Sequence, residues 1–132
     1  MFQSTGTLRY SPKHLGDRVS ENWWLIMDCD SEITRYFRHM LWVSRFVKIQ
    51  KPAWESHVTV IRNIEPPNKN KWELYAGEEV EFTYDIELKT AYEYFYLDVF
   101  CSRLLDIREE LGFTREPECP LHLTVGNSKF NH

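Results

Sequence analysis

Two short segments of the sequence repeat one pattern, histidine, aliphatic, threonine, aliphatic, and they are His57–Val60 and His122–Val125. In a β-strand, residues i and i+2 lie on the same face about 6.6 Å apart, so each segment predicts an imidazole and a hydroxyl side by side. The aliphatic residues between them would point into a core. Because two chance copies are improbable at this composition, these segments are the strongest indication of chemistry in the chain.

Two imidazoles and two hydroxyls around one cleft suit a tetrahedral phosphate. The hydroxyls can donate to nonbridging oxygens, a neutral imidazole can accept a proton from an attacking hydroxyl or water, and a charged imidazole can protonate the leaving oxygen. Histidine serves both roles near neutral pH because its unperturbed pKa is about 6.5. The pattern therefore predicts metal-free phosphodiester cleavage.

Strands are needed to carry these side chains. Alternation of apolar and polar residues, together with β-favouring side chains, predicts six strands. They cover Thr5–Tyr10, Trp23–Cys29, His57–Arg62, Val80–Tyr84, Tyr92–Phe100 and Leu121–Val125. Between the third and fourth strands, Lys71–Tyr75 is expected to form one helical turn.

Two helices are predicted behind the strands. The first covers about residues 30–43, where apolar residues recur at three- and four-residue spacing, and it places Arg35 and Arg38 on a solvated face. The second is capped by Ser102 and ends at Gly112, a residue suited to a left-handed C-terminal stop.

The order of these elements indicates one α+β domain over residues 1–132, with a loop near 64–70 between its halves. Each half supplies strands, one main helix and a histidine strand. The sequence thus predicts two similar lobes of antiparallel strands, with the histidine strands facing a central cleft.

The two histidine segments, the order of elements and the closing run His122–Asn127 resemble the 2H phosphoesterase superfamily, which is named for two His-x-Thr or His-x-Ser motifs on related lobes. The resemblance covers nearly the whole chain. The superfamily includes 2′,3′-cyclic nucleotide phosphodiesterases, RNA-ligase-like proteins acting on 2′-5′ linkages, and viral enzymes that degrade 2′-5′ or cyclic oligonucleotides. Its motifs are specific for the superfamily but not for the substrate.

The resemblance implies that His57 and His122 are catalytic and that Thr59 and Thr124 bind phosphate. Further substrate-binding candidates are aromatic or arginine side chains predicted on or beside the strands, with plain packing as the alternative. They are Tyr10, Arg62, Tyr94 and Tyr96. Asn127 and Lys129 follow the second motif. They are expected either at the cleft rim or in a loop of no catalytic importance.

Composition limits the partners. The chain has 15% aromatic residues, too many for a disordered chain, and a net charge of −4 that disfavours clamping long duplex nucleic acid. Residues 1–66 carry a net +2 and residues 67–132 a net −6, so the first half is expected to supply the positive field for a bound anion. A small nucleotide, an oligonucleotide or an RNA end remains as the substrate, bound by a monomer.

Neither a cofactor nor a metal is expected. Cys29, Cys101 and Cys119 form no Cys-x-x-Cys pair, which indicates reduced and mostly buried thiols, and the remaining histidines have no ligand spacing. The segment 1–6 lacks the features of an export signal, and no apolar run approaches a bilayer span, so a cytoplasmic protein without membrane contact is predicted.

Three functions stay open at this stage. The favoured one is a phosphodiesterase that hydrolyses a cyclic phosphate or a 2′-5′ or 3′-5′ linkage. The second is a module that binds or sequesters a nucleotide in the same cleft without turnover. The third is an RNA-end processing enzyme that works with a ligase or kinase.

Overall fold

The computed structural model describes residues 1–10, 23–52 and 56–128. Within them, the elements in chain order are β1 (Phe2–Tyr10), β2 (Trp24–Asp28), α1 (Ser31–Arg45), β3 (His57–Arg62), a 3₁₀ turn (Lys69–Lys71), β4 (Glu79–Tyr84), β5 (Lys89–Ala91), β6 (Tyr94–Phe100), α2 (Ser102–Glu110) and β7 (His122–Asn127). All six predicted strands and both predicted helices are confirmed, with ends that differ by at most three residues.

The structure differs from the predicted elements at two places. The short strand β5 was not predicted, because three residues are too few for an alternating pattern. The turn expected at Lys71–Tyr75 lies slightly earlier, as the 3₁₀ turn.

The strands form one antiparallel sheet in the order β4-β1-β2-β3-β7-β6-β5. Pairing of β4 with β6, at Thr83 with Phe100 and Tyr84 with Val99, closes the first six of these strands into a barrel. Together with the two helices, this sheet confirms the α+β class. Because β3 and β7 are neighbours in this sheet, the two histidine strands lie side by side.

Alternation along the strands fills one core. In β3, Val58 and Val60 are buried while His57 and Thr59 are half-buried on the other face, and Leu123 and Val125 repeat this arrangement in β7. Burial of these aliphatic residues fixes the register, since a slip of one residue would turn them to solvent and the histidines inward.

Helix α1 begins after Asp30, whose carboxylate accepts a hydrogen bond of 2.9 Å from the Glu32 amide. It ends at Arg45, and the C-cap Phe46 has a left-handed conformation (φ 56°). Its apolar side packs against β7. Arg35 is exposed, as expected, but Arg38 is half-buried and was wrongly placed on the solvated face. Long arginine side chains can lie along apolar surface and reach a buried acceptor, which helical spacing alone does not reveal.

Helix α2 packs against β3 and ends at Glu110, with Leu111 as its C-cap, and Gly112 with φ 95° follows, which confirms the predicted glycine stop. The predicted cap is wrong by one residue: Ser102 is the first helical residue, and Cys101 occupies the cap position without a side-chain hydrogen bond. Within the described ranges, neither helix combines the length and apolar character needed to cross a lipid bilayer.

The two halves repeat one register. In the first half β2 pairs with β3 so that Asp28 lies opposite His57, and in the second β6 pairs with β7 so that Asp98 lies opposite His122. Each pairing also contains one irregularity, between the second and third residues that precede the aspartate. The two histidine strands therefore occupy equivalent places relative to their neighbours.

Candidate functional site

One cavity of about 720 Å³ lies over β3, β7 and β6, on the face away from the barrel core. All four motif side chains line it: His57, Thr59, His122 and Thr124. The volume falls in the range of pockets for small molecules, roughly 300–1,000 Å³. Two segments that are 65 residues apart in the sequence thus contribute to one site.

Strand register sets the spacing of the four side chains. Val58 and Leu123 are the paired residues between β3 and β7, and one step along that antiparallel register puts His57 across from Thr124 and Thr59 across from His122. The two histidines are then diagonal neighbours, and such residues lie roughly 7–8 Å apart in an antiparallel pair. This separation leaves room for a tetrahedral phosphoryl group between the two rings.

The His122 ring is held by its own chain segment. Its Nδ1 lies 2.9 Å from the Pro120 carbonyl oxygen, and because a carbonyl only accepts, Nδ1 carries the hydrogen of this bond. The Tyr96 ring meets the imidazole edge-on, with centroids 5.6 Å apart, and the Cys119 sulfur lies 3.8 Å from Nδ1. Nε2 is therefore the ring atom left for proton exchange with a bound group.

An aspartate lies next to each histidine across the neighbouring strand. Opposed residues in an antiparallel pair share one face, so the Asp28 and Asp98 side chains are on the same side of the sheet as the imidazoles. Each carboxylate has a cation: Arg9 Nη2 bonds Asp28 at 2.7 Å, and Lys89 Nζ bonds Asp98. The hydrogen bond to Asp98 raises the pKa of Lys89. In each pair the cation thus offsets part of the negative charge of the aspartate.

Three of the four further substrate-binding candidates line the cavity, namely Arg62, Tyr94 and Tyr96. Tyr10 does not, since β1 turns this side chain to the inner face, where its ring packs edge-on against Trp72 at 4.9 Å. Burial raises the pKa of Tyr10 to about 12. The structure therefore separates this tyrosine from the other candidates.

Several lining residues were missed by sequence reasoning. Gln50, Lys51 and Pro52 belong to the segment after α1, and a single backbone bridge between Gln50 and Asn127 ties it to β7. Tyr92, in the turn between β5 and β6, also lines the cavity. No local pattern marks these residues, because only the barrel brings their segments together. Asn127 lines the cavity, in agreement with the first of its two expected positions, the cleft rim. Lys129 lies outside the described residues.

The thiols differ in exposure. Cys101 is buried and Cys29 half-buried, in agreement with expectation, whereas Cys119 is exposed at the cavity. Burial, with a smaller effect of Asp28, raises the pKa of Cys29 to about 12. Among the described residues, no group of three or more His, Cys, Asp or Glu side chains is arranged to hold a metal ion.

Comparison of the chain with protein-family models, curated proteins and solved structures gave no match. The chemistry of the site therefore follows from its own side chains. Two imidazoles can give and take protons, two hydroxyls can donate hydrogen bonds, and Lys51 and Arg62 can attract an anion.

Proposed function

We propose that the chain is a metal-independent phosphodiesterase of the 2H phosphoesterase type. Its substrate is a cyclic phosphate or a 2′-5′ or 3′-5′ phosphodiester in a small nucleotide, an oligonucleotide or an RNA end. The protein acts as a cytoplasmic monomer. The observation that carries the proposal is the convergence of both His-x-Thr pairs on one cavity.

Catalysis follows from the diagonal arrangement of the two rings. One neutral imidazole takes the proton of the attacking water or ribose hydroxyl as the new P–O bond forms. The other, in its charged form, gives its proton to the leaving oxygen as the old P–O bond breaks. Exchange with water then restores both rings. Thr59 and Thr124 donate to the nonbridging oxygens, where negative charge increases in the transition state.

Two similar lobes facing a central cleft are part of this proposal. The repeated register supports it, because each half contributes an aspartate, a histidine and a threonine in the same relative positions. A site with one His-x-Thr motif from each lobe matches the pair of motifs for which the 2H superfamily is named.

The test combines substrate screening with paired variants. Wild-type protein is mixed with 2′,3′-cyclic nucleotides, 2′-5′ oligoadenylates, cyclic di- and trinucleotides and short RNAs with defined ends, and mass spectrometry identifies new products. His57→Ala and His122→Ala should each slow turnover of the cleaved substrate by about 100-fold or more, which is the scale of a lost general acid or base. Activity should persist in EDTA.

The matched control is His39→Ala, since this histidine is exposed on α1 and lies outside the cavity. It should retain the wild-type rate, and circular dichroism should show that all three variants are folded. Wild-type turnover in either site variant would refute the proposal. Retention of a nucleotide without any product would instead favour a sequestering module, and cleavage confined to RNA ends would favour the processing enzyme.

A further inference from the structure

Each histidine strand contains a β-bulge at the same distance from its histidine. In β3, Thr59 pairs with Ile26 and Ile61 pairs with Leu25, so Val60 has no partner in β2. In β7, Thr124 pairs with Tyr96 and Gly126 with Phe95, so Val125 has none in β6. Both bulged residues come three positions after the motif histidine.

An arginine bonds the carbonyl of each bulged residue. Arg108 Nη1 donates to the Val60 oxygen at 2.9 Å, and Arg38 Nη1 donates to the Val125 oxygen at 2.7 Å. A bulge interrupts the ladder and leaves polar backbone groups to be satisfied in another way. A charged donor makes a hydrogen bond that is stronger than a neutral one.

The two arginines cross between the halves of the chain. Arg38 lies on α1, in the first half, and holds β7 of the second, while Arg108 lies on α2, in the second half, and holds β3 of the first. Helix packing follows the same crossed pattern, α1 against β7 and α2 against β3. Each histidine strand is therefore fixed by the helix of the other half.

Arg38 and Arg108 are both half-buried. Arg38 shares α1 with the buried Phe37 and Leu41, and Arg108 shares α2 with the buried Leu104. Burial is the main cause that lowers the pKa of each guanidinium group. The hydrogen bond to the bulge carbonyl offsets the cost of this desolvation, so each arginine has a structural role and is more than a surface charge.

A bulge bends its strand and changes the direction of nearby side chains. The His-x-Thr pair lies directly before the bulge in each strand, so the geometry of the bulge sets the angle at which imidazole and hydroxyl enter the cavity. If the carbonyl loses its donor, the bulge can relax and the pair can rotate. Proton transfer is sensitive to such a change because a misplacement of about 1 Å can cost roughly 100-fold in rate.

We infer that Arg38 and Arg108 are positioning residues that hold the two bulges, and through them aim His122 and His57 at the substrate. The inference rests on the proposed phosphodiesterase function for its kinetic consequence but not for its structural one. Each arginine acts on the histidine of the opposite half.

The experiment uses Arg38→Met and Arg108→Met, which keep much of the aliphatic stem but remove the donor, and Arg35→Met as the control on the exposed face of α1. On the substrate found by screening, we expect kcat to fall about tenfold in each site variant, with KM changed by less than about threefold. The control should match wild type. Arg38→Lys, which retains a charged donor, should recover part of the lost kcat.

Imidazole and backbone amide NMR signals provide a readout that requires no substrate. Arg108→Met should shift the signals of His57 and Thr59 more than those of His122 and Thr124, and Arg38→Met should show the reverse. Urea unfolding confirms that each variant is folded under the conditions of the spectra. The inference would be overturned by a folded variant in which only the signals of helix residues shift, or in which the signals of both histidines shift equally.

The two proposals can fail separately. If no substrate is cleaved but the crossed pattern of shifts appears, the positioning role stands and the phosphodiesterase function falls. If His57→Ala abolishes turnover while both arginine variants keep the wild-type kcat, the function stands and the positioning role falls.

Discussion

A methyl group added at Gly126 of β7 should push two walls of the proposed site apart. A Cβ built on this glycine would lie 2.4 Å from the Gln50 carbonyl oxygen and 2.8 Å from Ile49 Cδ1. Ordinary contacts of a Cβ begin at 3.4 Å, so the segment that contains Gln50 has to retreat by about 1 Å in Gly126→Ala. The same segment carries Lys51, which lines the cavity.

The expected cost has two sources. Gln50 and Asn127 exchange two backbone hydrogen bonds, of 2.8 and 2.9 Å, and a retreat of this size weakens both. About 1 kcal/mol for each weakened bond, with about 1 kcal/mol more for the overpacked core, predicts that Gly126→Ala lowers the free energy of unfolding by about 3 kcal/mol.

Urea unfolding followed by tryptophan fluorescence measures this loss, with Gly77→Ala as the control. A Cβ at Gly77 meets no atom within 4 Å, so that variant suffers only the backbone strain of its positive φ of 82°, about 1 kcal/mol. KM for a cleaved substrate should rise in Gly126→Ala and stay unchanged in the control. If Gly126→Ala keeps its stability within about 0.5 kcal/mol of wild type, the steric reasoning is refuted.

Two further predictions concern thiols and a buried hydroxyl pair. Alkylation of the native protein at pH 8 should label Cys119 first, because it is exposed, whereas burial raises the pKa of both Cys29 and Cys101. Peptide mass mapping over time measures the order of labelling. Equal rates at the three thiols would contradict the prediction. Ser56→Ala should lower the free energy of unfolding by about 1 kcal/mol, because it removes the buried 2.6 Å hydrogen bond to the Thr34 hydroxyl. An unchanged urea midpoint would show that this pair does not contribute.

The sequence predicted the elements because their signals are local. Alternation in β3 and β7 and the glycine after α2 are visible in short windows, and the structure has these elements within a few residues of their predicted limits. The same alternation placed the four motif side chains on one face of their strands. Their meeting in one cavity was expected from the repeated motif and from the order of the elements.

Closure of the barrel and the crossed packing of the helices could not be predicted in the same way. Pairing of β4 with β6 depends on the twist accumulated over the whole sheet, and no residue pattern in either strand encodes it. Arg38 was assigned to solvent because its helical position is compatible with an exposed face. Its partner, the Val125 carbonyl, lies 87 residues away and becomes available only through a bulge.

The cavity has two unlike walls although its histidines occupy equivalent positions. Lys51 and Arg62 come from the first half, which agrees with the net positive charge of residues 1–66, while Tyr94 and Tyr96 come from the second. In the first half, the place of Tyr96 is taken by Ile26, which is buried. A nucleotide with an anionic and an aromatic part is expected to meet these walls in one preferred orientation. Under the proposed mechanism, that orientation, rather than any difference between the two strands, would decide which imidazole faces the leaving oxygen and acts as the acid.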